Sequence, residues 1–288
     1  MDALTFQSIS KQYPAFSLTD ICFSLPKGYI MGYIGRNGAG KTTTIRMAAT
    51  LCAPDNGQIL LYGQTVDSNL SAYKDAIGYV SDVCYFPQTL TPADIAVIHR
   101  DFYPTFDDKK FDSYLQSWEI SKTKKIKTFS AGMKTKLMLA AVFSRETKLL
   151  LLDEPTSGLD PLMRDSILDM LQEYIADGER SVLFSTHIVS DLERVADYIT
   201  MIDHGRLLFT APTDRLLEDH LLVQGDADDF ARVPKEKCIG YKRSRTGCST
   251  LIHRADKGYF PGNCLFEPVT CNDIFIYYSM NEEATEAC

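Results

Sequence analysis

The chain has 288 residues, 45% of them hydrophobic and 24% charged, an ordinary globular composition that can bury a core and sets one or two domains as the expectation. Thirty basic residues against thirty-eight acidic ones give a formal charge of −8, which argues against a nucleic-acid surface, so no nucleic-acid partner is expected. No uncharged stretch reaches the length of about 17 apolar residues that spanning a bilayer needs, and the N-terminus lacks a basic-then-apolar secretory pattern; a soluble, cytoplasmic chain is expected.

Alternating apolar positions in Leu4–Ser8 and Ile21–Leu25 predict an antiparallel hairpin region. Tyr29–Ile34 is continuously apolar, the pattern of a strand buried on both faces. Directly after it comes Gly35-Arg36-Asn37-Gly38-Ala39-Gly40-Lys41-Thr42, a G-x-x-x-x-G-K-T run that opens a helical pattern. Strand, glycine loop and helix start in that order are the setting in which such a run binds nucleotide phosphates. The three glycines let backbone N–H groups approach phosphate oxygens beside the positive end of a helix dipole. Lys41 is expected to reach the β- and γ-phosphates and the Thr42 hydroxyl to ligate a magnesium ion that bridges them, while Thr43 adds a phosphate contact.

Ile77–Val80, Leu149–Leu152, Val182–Ser185 and Tyr198–Ile202 add short apolar strands separated by helical patterns, which gives an α/β core with a mixed sheet. Between Val83 and Arg145 strand signals vanish and apolar residues recur at helical spacing through Ile95–Tyr103 and Phe111–Trp118, so a helical insertion is expected over about residues 85–145. The basic run Lys122–Lys127 inside it lacks interleaved aromatics and reads as a solvated loop. Phe129-Ser130-Ala131-Gly132-Met133 looks like a helix start, with Ser130 as N-cap and Gly132 leaving the first turn open. The run Leu149–Leu152 ends in Asp153 and Glu154, at the strand end where an α/β sheet places its ligand. Asp153 suits a magnesium partner, and Glu154, one residue further on, suits the general base that polarises an attacking water. Ser157-Gly158-Leu159-Asp160 lies just beyond, and His187 follows another strand end, Val182–Thr186.

After Arg206 the pattern weakens, and the polar run from Gln224 through Asp229 reads as a break between the core and a small C-terminal α/β unit. Strands at Leu221–Gln224, Ile239–Lys242 and Ser249–His253 and a capped amphipathic helix from Thr270 are expected there, with the division placed at residues 1–213 and 214–288. Eight cysteines without an export signal or a C-x-x-C pair are expected as free thiols.

The ordered set of glycine loop, Ser130-Gly132 helix start, acid pair, Asp160 loop and His187 resembles the nucleotide-binding subunit of an ATP-binding cassette (ABC) transporter, over about residues 2–213. That resemblance implies a P-loop NTPase cassette with a mixed sheet, an antiparallel β subdomain and a helical insertion. It implies ATP and magnesium as cofactors and ATP hydrolysis as the activity. Residue by residue, it makes Tyr13 the aromatic that stacks on adenine, Gly35 to Thr43 the phosphate loop, Asp153 the magnesium-side acid, Glu154 the catalytic base and His187 the γ-phosphate switch. Asp160 falls in the loop that contacts a second subunit, and Ser130 and Gly132 in the signature that closes over that subunit's nucleotide. A head-to-tail pair with a second copy is thus implied, as is an integral-membrane permease that holds the chain at the inner face of the cell membrane.

Two departures stand out. The family's signature commonly reads Leu-Ser-Gly-Gly-Gln, whereas Phe129, Ala131 and Met133 occupy three of those positions here. Where many members carry glutamine after the strand Ile77–Val80, this chain has Ser81-Asp82, so Asp82 becomes a further candidate for the magnesium side. These variants and the tail look like the bacterial branch that powers two-component exporters of drugs, antimicrobial peptides or ions. The alternative is a soluble cassette ATPase acting on ribosomes or DNA. Translation-type members carry two cassettes in one chain and chromosome-type members long heptad repeats, and this chain has neither. A binding module without turnover is opposed by Glu154 and His187.

Overall fold

The computed structural model describes residues 1–65, 69–244 and 247–286, with side chains as far as residue 280. The chain opens with β1 (Asp2–Tyr13) and β2 (Phe16–Pro26), paired antiparallel as the alternation requires. Their inward residues Leu4, Phe6, Ile21, Phe23 and Leu25 are all buried. Phe23 stacks on Phe6 at 4.5 Å and on Tyr33 at 5.5 Å, which clamps this layer onto the next.

Tyr33 belongs to β3 (Ile30–Ile34), buried at every residue, and the glycine run joins it to α1 (Lys41–Ala48). β4 (Asn56–Leu61) and β5 (Gln64–Thr65) return to the first sheet, whose order is β2-β1-β4-β5. α2 (Leu70–Ala76) leads into β6 (Ile77–Val80). The helical insertion follows as α3 (Pro92–Phe102), α4 (Asp108–Ser117) and α5 (Ala131–Phe143). Thr91, Asp107 and Ser130 cap these three helices by accepting first-turn N–H groups. The insertion buries Phe106, Phe111, Leu115 and Ile126 against the apolar side of α5.

The remaining core elements are β7 (Leu149–Asp153), α6 (Pro161–Ile175), β8 (Ser181–Thr186), α7 (Val189–Val195), β9 (Tyr198–Asp203) and β10 (Arg206–Pro212). Together with β3 and β6 they form a six-stranded sheet in the order β10-β9-β3-β8-β7-β6. It is mixed, because β10 alone runs antiparallel to its neighbour. The parallel register sets Ile34 opposite Thr186 and Asp153 opposite Ser185. Three strand ends therefore finish side by side, and whatever follows β3, β7 and β8 meets at one edge.

Beyond β10 the chain builds α8 (Thr213–Asp219), β11 (His220–Gly225), α9 (Ala227–Phe230), β12 (Ile239–Ser244), β13 (Gly247–His253), β14 (Leu265–Glu267) and α10 (Cys271–Glu286). The third sheet has the order β12-β13-β11-β14. The polar run 224–229 does not separate this unit from the core. It is the turn from β11 into α9, inside the unit, because Gln224 and Gly225 pair with Ser249 and Cys248 of β13. α10 begins with a reciprocal cap between Thr270 and Asp273, as its sequence suggests. It does more than close the small sheet: Ile274 and Tyr277 share one apolar cluster with Leu192 of α7 and Met201 of β9. The Glu193 carboxylate of α7 accepts the Cys271 N–H at 3.1 Å, fixing the start of α10 to the core.

Candidate nucleotide site

The glycine loop is pressed between two sheets. A Cβ on Gly35 would lie 2.3 Å from the Ile202 carbonyl oxygen, and one on Gly40 would lie 2.5 Å from Leu18 Cδ2 and 2.9 Å from Phe16 Cζ. Gly40 also sits at φ +112°, in the left-handed region, so no other residue fits there without strain. Lys41 is buried, and its Nζ donates to the carbonyl oxygens of Gly35 at 2.7 Å and Arg36 at 3.2 Å. The ammonium thus spans the loop it must share with phosphate. Burial lowers its pKa, while the nearby carboxylates of Glu154 and Asp153 pull it back up.

Asp153 ends β7 and is fully buried. Its Oδ1 accepts the Ser185 hydroxyl at 2.6 Å, whereas its buried Oδ2 has no hydrogen-bond partner among the described residues. Burial raises the pKa of this carboxyl, against the stabilising hydroxyls of Ser185 and Thr42. An unpaired carboxylate oxygen beside a threonine hydroxyl is an all-oxygen, hard donor set, and it fits magnesium. Asp82 is exposed and accepts the Val83 N–H at 2.9 Å; its negative charge adds to the rise at Asp153, so it lies within electrostatic reach of that acid.

Glu154 takes φ +53°, a left-handed conformation that costs a side-chain-bearing residue about 1 kcal/mol or more and is typical of functional positions. Its N–H donates to the Ser185 hydroxyl oxygen at 3.0 Å, which helps hold that turn. Glu154 Oε1 lies 3.7 Å from Lys41 Nζ and Oε2 lies 2.7 Å from His187 Nδ1. The side chain of His187 is 53% exposed, so one edge of this carboxylate–imidazole pair opens to solvent.

Tyr13 stands at the end of β1, where a cleft of 590 Å³ runs between Tyr13, Phe16 and the loop residues Arg36, Asn37, Gly38 and Ala39. The cleft joins Tyr13 to the glycine loop as far as Ala39. Thr43 is half-buried in the first turn of α1. Ser130 and Gly132 are brought elsewhere. Ser130 Oγ accepts the Met133 N–H at 3.2 Å, and a Cβ on Gly132 would touch Leu159 Cδ2 at 3.4 Å and the Gly158 carbonyl at 3.5 Å. Asp160 caps α6 by accepting the Met163 N–H at 3.0 Å. Among the described residues no hydrogen bond joins Ser130 or Gly132 to the phosphate loop. Sequence reasoning misses Ser185, which positions both acids, although the hydroxyl pair Ser185-Thr186 directly after the apolar run Val182–Phe184 is a readable signal.

Residues 18–157 match the family model described as ABC transporter. The ABC transporter ATP-binding protein YtrB of Bacillus subtilis is 31% identical over 207 residues, covering 72% of this chain and 70% of that protein. The bacitracin transport ATP-binding protein BcrA of Bacillus licheniformis is 33% identical over 211 residues, covering 72% of this chain and 69% of that one. A solved ATP-binding subunit of an ABC transporter superposes with a TM-score of 0.68 at 27% identity, over 75% of this chain and 92% of that one. With the glycine loop, the acid pair and the histidine meeting at one sheet edge, the chain belongs to the ABC transporter family, as an ATP-binding subunit that hydrolyses ATP.

Proposed function

We propose that this chain is the ATPase of an exporter, working as a head-to-tail pair beneath a separate integral-membrane permease at the inner face of the cell membrane. The names of its relatives, among them a bacitracin transport protein, support the exporter reading. The observation that carries the hydrolytic part is Glu154, held at a strand end with Lys41 on one oxygen and His187 on the other. In this reading residues 1–213 form the cassette and residues 214–288 an accessory unit.

The loop N–H groups from Gly35 to Thr43 bind phosphate, and Lys41 exchanges the Gly35 and Arg36 carbonyls for β- and γ-phosphate oxygens. Tyr13 presents its ring to adenine. Glu154 accepts a proton from the attacking water, and His187 holds that carboxylate while reaching the γ-phosphate. Thr42 and Asp153 would hold magnesium, with Asp82 at the rim; bound there, the ion neutralises charge on the β- and γ-phosphates. Asp82→Ala should raise the magnesium concentration needed for half-maximal phosphate release. An unchanged magnesium titration would place Asp82 outside the site.

Ser130 and Gly132 serve the nucleotide of the second copy, offering a helix N-terminus with about half a positive charge. Each composite site then needs two intact halves. A Lys41→Ala chain keeps its Ser130–Gly132 face, and a Ser130→Arg, Gly132→Asp chain keeps its phosphate loop. Mixing the two nearly inactive proteins should restore one working site per mixed dimer, read as phosphate release across mixing ratios with subunit exchange followed by labels. Mixed dimers that form and stay inactive would refute the head-to-tail assignment.

A further inference from the structure

The Glu154–His187 contact is short but partly open to water, and Glu154 is held in an unfavourable backbone conformation. A solvent-facing pair contributes little by itself. Something else must keep the two side chains in register. One tie precedes them: Ser185 binds the Asp153 carboxylate and the Glu154 N–H.

A second tie follows them. Thr156, two residues after Glu154, donates its hydroxyl to Asp191 Oδ2 at 2.7 Å. Asp191, four residues after His187, also accepts Arg164 Nε on its Oδ1, and the same guanidinium donates to Ser190 Oγ at 2.7 Å. Thr156 and Asp191 are each 1% exposed. Arg164 projects from α6, the helix that Asp160 caps. The result is a closed ring: Glu154 to Thr156 along the chain, Thr156 to Asp191 by hydrogen bond, Asp191 back to His187 along the chain, and His187 to Glu154 by hydrogen bond. A buried carboxylate is costly unless its charge is paired and both oxygens are satisfied, and here both conditions hold. None of these three side chains has a part in binding ATP in the reading above. The exposed ion pair of Arg194 with Asp169, at 2.7 Å, reinforces the same α6–α7 junction.

We propose that Asp191 is a positioning residue for hydrolysis: through Thr156 and Arg164 it fixes the start of α7 against the loop after β7, and so sets His187 against Glu154. Through Arg164 it also ties the ring to α6, whose cap Asp160 lies in the loop that the family resemblance sets against a second copy. The inference rests on the proposed catalytic roles of Glu154 and His187.

The test compares Asp191→Asn and Thr156→Val in the full-length chain, each in the parental and the His187→Ala background. Turnover, ATP binding by a fluorescent analogue and thermal unfolding are measured for each, with single-turnover hydrolysis of radiolabelled ATP where activity is low. Displacement of a catalytic contact by about an ångström costs up to about a hundredfold, so in the parental background kcat should fall by about tenfold or more with ATP affinity nearly unchanged. In the His187→Ala background the same substitution should change the residual rate by less than about twofold, because the contact it positions is already gone. Asp191→Glu, which keeps the charge, should recover part of the loss. Thr156→Val leaves the Asp191–Arg164 ion pair in place and carries the test if Asp191→Asn fails to fold. Equal fold-losses in both backgrounds, or parental turnover in folded Asp191→Asn and Thr156→Val proteins, would overturn the proposal. If His187→Ala alone keeps parental turnover, the fault lies in the catalytic reading itself, and the positioning role falls with it.

Discussion

Glu154→Gln should bind ATP and fail to hydrolyse it, accumulating as an ATP-bound dimer. Glutamine keeps the length and planarity of the side chain and can keep the His187 contact, so the φ +53° turn and the Ser185 hydrogen bond to its N–H have no reason to change. What it loses is the ability to take a proton from water. Removing a general base costs about a hundredfold to ten-thousandfold in rate. Nucleotide affinity should hold or rise, because the phosphate loop is untouched and a negative charge 3.7 Å from Lys41 Nζ has been removed. Size-exclusion chromatography with ATP and magnesium should show a dimer peak that the parental protein passes through too quickly to display. Parental turnover, or a monomer under these conditions, would remove Glu154 from the role of base.

The contrast between what is legible in the sequence and what is not follows the range of the interactions. Gly35–Thr42 can be read because the run itself, a buried strand before it and a helix after it are all local, although the atoms that demand glycine at Gly35 and Gly40, on Ile202 and Leu18, are distant in sequence. The all-apolar runs at β3, β7 and β8 are legible for the same reason, since burial on both faces erases alternation. Glu154 and His187 are each visible as residues at strand ends. That they touch depends on β7 and β8 being neighbours in parallel register, which residues about 30 apart cannot announce.

The same limit explains the misplaced break at 224–229. Glycine and aspartate mark a turn correctly, but whether a turn lies between units or within one depends on where its flanks pair, and β11 pairs with β13 more than 20 residues later. α10 shows the complementary case. Its cap and apolar spacing are readable, yet its cover is not, because Leu192 and Met201 come from elements that the spacing of α10 says nothing about. The Thr156–Asp191 link and its Arg164 partner are invisible throughout: each residue is ordinary in its own segment, and only the burial of Thr156 beside Asp191, with the half-buried Arg164 on the other carboxylate oxygen, makes the set unusual.

Lys41→Ala should lose nearly all hydrolysis while leaving a folded chain. The ammonium is buried and lies within hydrogen-bond reach of two carbonyls, with Glu154 just beyond. Truncation removes a cation from a place where burial disfavours charge, but it also gives up the hydrogen bonds to Gly35 and Arg36 and takes a counter-charge away from the Glu154 and Asp153 carboxylates. Relief of the desolvation offsets part of the about 1.5–3 kcal/mol that each hydrogen bond from a charged donor contributes, and the net cost is read as a drop in thermal midpoint. The cost to the reaction is larger, because phosphate charge now meets only backbone N–H groups. Loss of one preorganised electrostatic interaction of this kind typically removes about 3 kcal/mol at the transition state, or about two orders of magnitude in rate. Lys41→Arg should not rescue it, since a planar, forked guanidinium does not reproduce the compact point charge that the ammonium places between the Gly35 and Arg36 carbonyls. Phosphate release and ATP-dependent thermal stabilisation, measured on the same preparation, check both halves of the expectation. A folded Lys41→Ala protein that turns over ATP at the parental rate would show that Gly35–Thr43 is not the catalytic phosphate loop.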